Sequence, residues 1–548
     1  MKTPRREFLR LAAAGVTAAT ALRPAGSDSL IEILVDEPIA TIAPEIYSHF
    51  AENLGGVVYD GIWVGEDSAI PNIGGLRKQL VESLRRINPP AIRWPGGCFA
   101  DSYDWHDGIG PRAHRPKRTN FWANAAEWPK NANRQGPQSY DPNQFGSVEF
   151  ARFCKQTGAQ PYFAANLRSL RAEDFYRWIE YCNSPAGATA LSEQRASDGE
   201  RDPLSVRYWG VGNEAWGCGG NFTPEDYATE FLRFTAWTPE YGTPLNFVGS
   251  GPNDNDLDWT RRFFTKVGHA GALNRMWGWS MHHYAWNASG GRTTDWSAGK
   301  ADALQFDASQ YYELLHQAGL MDAFITSQWN VMGEADPRHH VKLVVDEWGA
   351  WYAPGTEPFA EALLGQQSTM LDAVLAGLTL DTFNRHSDKV GMACVAQLVN
   401  CLQSLFLAHE DKFCVTPTYH VFDMYTAHKG AQALRTMLSA PSISYPRNQG
   451  AGTLAGLYCS ASLTARRVTL TVTNPSLDQT REAEIGVRGA AVAGAQVITL
   501  AAADAHAHNT FDNPRAVEPR RGQIQASGAT LTHRFAPASV TRMEISLT

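Results

Sequence analysis

A chain of 548 residues with 43% hydrophobic content is long enough to bury one large barrel and a smaller companion domain. Its 48 Lys and Arg stand against 56 Asp and Glu, a formal net charge of -8, which excludes the basic excess that draws a protein to nucleic acid or to an anionic membrane. No segment beyond the N-terminus reaches the ~18 uninterrupted apolar residues of a membrane span, and eight cysteines with no CxxC or CxxC…HxxxH spacing argue against a disulfide scaffold or a zinc site.

The N-terminus, "MKTPRREFLRLAAAGVTAATALRPAGS", has a charged start with paired arginines, an Ala-rich apolar stretch and then small residues. Arg5 and Arg6 followed by Glu7, Phe8 and Leu9 match a twin-arginine export signal over residues 1–26, so the expected location is periplasmic or secreted. Residues 27–43 hold the strand-like "DSLIEILVDEPIA", which is expected to join a sheet formed at the other end of the chain.

From 44 to 414, short apolar runs alternate with helical stretches: "EIYSHFAENLGG", "AIRWPGGCF", "QPYFAANL", "RYWGVGNE", "LNFVGSG", "WGWSMHHY", "VKLVVDEWGAWY" and "VGMACVAQLVN". Between the first two, "GGLRKQLVESLRRI" carries Leu76, Leu80, Leu84 and Ile87 at the three- and four-residue spacing of an amphipathic helix. Eight strands alternating with helices predict an α/β fold, a (β/α)8 TIM barrel. Nearly every run ends in polar or Gly-rich residues on its C-terminal side, where such a barrel carries its active site. From 415 to 548, alternating runs such as "RRVTLTVTNP" and "SVTRMEISL" predict a C-terminal all-β sandwich domain.

Two carboxylates fall on the same rim, Glu214 at the end of the fourth run and Glu347 at the end of the seventh. Glycoside hydrolysis needs such a pair, one group to protonate the leaving oxygen and the other to attack or stabilise an oxocarbenium-like centre. Seventeen Trp, 18 Tyr and 24 Phe suit flat platforms for sugar rings, although a large core also consumes aromatics. His282–His283 and His339–His340 are adjacent pairs whose side chains would point to opposite faces of a strand, so neither a metal nor a cofactor is expected.

The stretches "FAENLGGVVYDGIW", "RWPGGCFADSYDWHDGIGP", "YWGVGNEAWGCGG" and "VVDEWGAWY" resemble glycoside hydrolase family 51, the α-L-arabinofuranosidases. The resemblance runs from about residue 30 to the end. It implies a retaining double displacement with Glu214 as acid/base and Glu347 as nucleophile. It also implies substrate contacts for Glu52, Asn213, His282, Tyr284 and Gln397, with Tyr284 placed to donate to Glu347. Two positions depart from the family: Cys98 stands where Asn is common after "PGG", which puts one sugar contact in doubt, and Asn53 stands where His is common. Cys98 and Cys218 share the rim, and a disulfide between them is expected beside the alternative of two separate buried thiols.

The function so implied is exo-acting release of terminal non-reducing α-L-arabinofuranose from plant cell-wall arabinan, arabinoxylan or arabino-oligosaccharides, by a protein that the resemblance makes a homo-oligomer, often a hexamer. The alternatives are an endo-β-1,4-glucanase or xylanase of the same clan, with an open cleft in place of a pocket, and a carbohydrate-binding protein without turnover.

Overall fold

The computed structural model describes residues 27–132, 134–286, 300–447, 450–524 and 530–548. The expected signal at 1–26 lies outside the described residues.

Eight strands close into a parallel barrel: β1 (Ser48–Phe50), β2 (Ala91–Trp94), β3 (Gln160–Ala164), β4 (Tyr208–Val211), β5 (Asn246–Gly249), β6 (Met276–Trp286), β7 (Lys342–Trp351) and β8 (Val390–Ala396). Parallel strands of a barrel are covered on both faces and so read as continuous apolar runs. Accordingly, every residue of β2, β4 and β8 is buried. Phe50, Tyr162, Tyr208, Val248, Val344 and Met392 fill the barrel interior.

The predicted helix between β1 and β2 spans Lys78–Ile87, buries Leu80, Val81, Leu84 and Ile87, and stops where Asn88 turns left-handed at φ 46°. Leu76, expected in its apolar stripe, lies instead in the short strand Leu76–Arg77. The cause is Arg77, whose buried guanidinium donates to the carbonyl and carboxylate of Asp60 and holds the segment extended.

A nine-stranded sheet forms the second layer system, in the order Arg520–Ile524, Val492–Leu500, Ser539–Leu547, Arg467–Asn474, Tyr458–Thr464, Gln432–Ser439, Ser29–Thr41, Arg481–Arg488, Thr530–Phe535. Its core includes Ile31, Ile33, Val468, Leu470, Ile485 and Ile545. Ser29–Thr41 pairs antiparallel with Gln432–Ser439 and parallel with Arg481–Arg488, so a segment that precedes the barrel closes the sheet that follows it. The fold is a TIM barrel with a β-sandwich domain.

The helix Met370–Arg385 lies between barrel and sheet, with all but its last residue buried. A helix that is apolar nearly all round belongs in such a place. One of its two buried acids, Asp381, accepts hydrogen bonds from Ser460, Thr471 and Thr473 of the sheet and so joins the two layers.

Candidate active site

Glu214 owes its position to a tight turn. After β4 ends at Val211, the chain passes through Gly212 at φ 82° and Glu214 at φ 39°. A left-handed non-glycine residue costs on the order of 1 kcal/mol or more, and local hydrogen bonds offset that cost. The Glu214 carbonyl accepts from Gly217 N at 2.7 Å and Gly219 N at 3.2 Å, and Ala215 N donates to Ser250 Oγ at 3.0 Å. A side chain at Gly219 would strike the Asn213 carbonyl, so this glycine of "WGCGG" is required by close backbone approach. Asp101 lies beneath, accepting from Asn213 N and Leu167 N; burial pushes its pKa up to about 8 against those donors.

Glu347 sits on β7 beside Asp346. Neighbours in a regular strand face opposite ways, yet both of these acids reach the barrel interior. The register explains it: Ser280 of β6 pairs with Val344 and His282 with Glu347, so β7 carries one extra residue, a bulge that redirects a side chain.

Arg93 of β2 binds both acids. Its Nη1 donates to Glu347 Oε1 at 2.7 Å, its Nη2 to Asn213 Oδ1 at 2.6 Å, and its Nε lies 3.4 Å from Asp346 Oδ2. The guanidinium also packs over the Phe50 ring at 4.7 Å. Tyr284 OH donates to the other oxygen of Glu347 at 2.8 Å.

His282 lies between the carboxylates, with Nδ1 2.9 Å from Glu214 Oε1 and Nε2 3.2 Å from Asp346 Oδ1. Burial opposes its charge, but Glu347, then Asp346 and Glu214, outweigh burial and push its pKa up to about 10. The surrounding acids thus favour the charged ring, which can donate from both nitrogens. Asp346 is buried too, yet Arg93, His282 and Ser280 hold its carboxyl well below the usual carboxylate range. One oxygen of Glu214, one of Glu347 and a nitrogen of His282 lie within 4.8 Å of one another. Two carboxylates and an imidazole at this spacing can transfer protons and stabilise charge.

Glu52 closes the far side of the site. It accepts from Phe99 N at 2.9 Å and Trp122 Nε1 at 3.0 Å, while Gln397 accepts from its backbone N–H and donates to its carboxylate at 3.3 Å. Burial first, then the charge of Glu347, push the Glu52 pKa up to about 7. Cys98 is disulfide-bonded to Cys218.

These groups surround a cavity of about 390 Å³ lined by Glu52, Cys98, Asn213, Glu214, Tyr284, Glu347 and Gln397, with Phe121, Trp122, Trp216 and Trp351 as apolar walls. Of the residues expected from sequence, only His282 is not on the lining; it stands behind the two glutamates and holds them. Sequence reasoning missed Arg93, Asp346 and Asp101. The signal for Arg93 was a charge inside the apolar run "AIRW", which is rare unless the charge is paired.

Residues 83–300 match the family profile described as the α-L-arabinofuranosidase 1 domain, and residues 346–539 match the α-L-arabinofuranosidase C-terminal domain. An intracellular exo-α-L-arabinofuranosidase of Bacteroides ovatus is 34% identical over 533 residues, covering 96% of this chain and 98% of that one. The chain belongs to the α-L-arabinofuranosidases of glycoside hydrolase family 51. The crystal structure of the family 51 arabinofuranosidase from Xanthomonas axonopodis pv. citri superimposes with a TM-score of 0.86 at 33% identity, covering 95% of this chain and all of that one. An intracellular exo-α-(1→5)-L-arabinofuranosidase of Acetivibrio thermocellus is 30% identical over 67% of this chain and 69% of its own length. This arabinofuranosidase is thus the exo-acting glycoside hydrolase that the resemblance implies, and the glucanase or xylanase alternative is not favoured.

The export expectation is corrected by the same comparison. The Bacteroides ovatus and Acetivibrio thermocellus relatives are both named intracellular, against a periplasmic or secreted location. A paired arginine before an Ala-rich stretch is a short compositional pattern, and composition alone does not make an export signal.

Proposed function

We propose that Glu214 is the acid/base and Glu347 the nucleophile of a retaining double displacement that releases terminal α-L-arabinofuranose. The observation that carries it is the approach of the two carboxylates, with oxygens of both inside a 4.8 Å cluster. Retaining glycosidases hold their carboxyl groups about 5–5.5 Å apart, whereas inverting ones leave about 6.5–9.5 Å for a water. Arg93 and Tyr284 each donate to Glu347 and hold its two oxygens in place. Glu214 faces the mouth beside Trp216, where a leaving sugar would stand.

Glu52, Gln397 and Asn213 offer acceptors and donors for the hydroxyls of one furanose ring. The substrates that fit are arabinan, arabinoxylan and their oligosaccharides from plant cell walls. The relatives' names support an intracellular enzyme, and therefore the oligosaccharides. Family membership supports a homo-oligomer, which light scattering of the purified protein would measure.

Glu214→Ala tests the roles. Natural arabinosides, whose leaving alkoxides need a proton, should lose roughly 10² to 10⁴ in rate. A dinitrophenyl arabinofuranoside should still arabinosylate Glu347, and azide should restore turnover as the arabinosyl azide of the same configuration as the retained product, because it displaces Glu347 from the face that water would use. Glu347→Ala should lose the first step with every substrate. Equal losses in both variants on both substrates, without azide rescue, would refute the assignment.

A further inference from the structure

The two sulfurs of the Cys98–Cys218 bridge lie 3.9 Å and 3.6 Å from Oε2 of Glu214. The other carboxylate oxygen is held by His282 at 2.9 Å. A bridged sulfur carries no hydrogen, so these contacts leave Oε2 without a donor, free to bear the proton that an acid must deliver. The bridge also spans 120 residues of chain. It fastens the turn that carries Glu214 to the segment Gly97–Phe99, whose backbone cradles Glu52. The bond holds the two Cα atoms 5.5 Å apart, and without it the one loop is no longer tied to the other.

We propose that the Cys98–Cys218 disulfide positions the acid/base, and that its reduction is a reversible brake on arabinoside cleavage. The proposal rests on the assignment of Glu214 as acid/base. Reduction is a thiol–disulfide exchange in which two thiols of a small or protein dithiol give up their hydrogens: one S–S bond breaks, the Cys98 and Cys218 thiols form, and the reductant leaves as its own disulfide. Each new S–H can then donate to Oε2. The reduced enzyme thus holds its acid/base in a looser turn, with new donors on the oxygen that must carry the proton. In reducing compartments, disulfides are generally transient, serving catalysis or redox sensing, and the relatives named intracellular give that rule force here.

The test compares oxidised and dithiothreitol-reduced enzyme, with thiols counted by mass after alkylation, on an arabino-oligosaccharide and on the dinitrophenyl arabinofuranoside. Reduction should lower kcat/KM on the oligosaccharide by roughly tenfold or more, a fraction of what general acid catalysis supplies, and spare the first step on the aryl substrate. Reoxidation should restore the rate. Cys98→Ser combined with Cys218→Ser should match the reduced enzyme and ignore the dithiol. In Glu214→Ala, reduction should leave the azide-rescued rate unchanged, because nothing remains to position. Equal loss on both substrates, no loss on either, or persistent sensitivity in Glu214→Ala would overturn the proposal. A Glu214→Ala enzyme without azide rescue would instead remove the acid/base assignment, and the proposal with it.

Discussion

Arg93 Nη1 donates to Glu347 Oε1 at 2.7 Å across the barrel interior, from a side chain that is itself about 1% exposed. The pair joins β2 to β7 and places a permanent positive charge against one oxygen of the glutamate, while Tyr284 occupies the other. A guanidinium suits this position because its planar fork reaches Glu347, Asn213 and Asp346 at once.

Arg93→Met should therefore do two kinds of damage. It leaves Asp346 and Glu347 buried without their shared counter-charge, which typically costs about 3–5 kcal/mol, and it frees Asn213. A lower denaturation midpoint together with a fall in kcat of roughly a hundredfold or more on an aryl arabinofuranoside is the expected result. A variant that unfolds like wild type with unchanged kcat would show that the charge is not needed.

Tyr284→Phe removes one hydrogen bond and little volume. A hydrogen bond to a charged group is worth about 1.5–3 kcal/mol, so kcat should drop by roughly 10- to 100-fold. KM should change less, since Tyr284 acts through Glu347. Steady-state kinetics on one aryl substrate separates the two parameters.

Glu52 makes stability depend on pH. Its pKa rises from the model-peptide 4.5 to about 7 in the folded protein. Between those values the unfolded chain has released the proton and the folded chain still holds it. The contribution of this group to stability therefore declines as pH rises through that window and levels off above it. Glu52→Gln has no proton to lose, so its melting temperature relative to wild type should climb between pH 4.5 and 7. Thermal melts across that range would show a flat difference if Glu52 did not titrate there.

Asp381→Ala should weaken the join between barrel and sheet. Ser460 and Thr471 would each lose a buried acceptor, and an unsatisfied buried group costs about 1–3 kcal/mol. Asp381 is not on the cavity lining, so kcat/KM per folded molecule should hold while the melting temperature falls. A loss of activity without loss of stability would contradict this division.

Local sequence carried a good deal of this protein. Strand-length apolar runs ending in Gly and polar residues placed all eight barrel strands, because a strand buried on both faces needs an unbroken apolar stretch. The same runs placed Glu214 and Glu347 at one rim, since residues at the C-terminal ends of parallel barrel strands converge by construction. Tyr284 and His282 were legible as a pair through the two-residue period of β6.

Other features came only from the tertiary structure. In a regular strand Asp346 would face away from its neighbour Glu347, and only the bulge in β7, set by pairing with β6, turns it inward. The role of Arg93 depends on acids more than 250 positions away in sequence, and no local pattern encodes partners at that distance. His282 is charged because three carboxylates from β4 and β7 surround a buried ring, an electrostatic balance that exists only once the barrel has closed. Sequence supplies residue types and periods, which are local; the charge state and direction of a buried group are set by whatever the fold brings within a few ångströms of it.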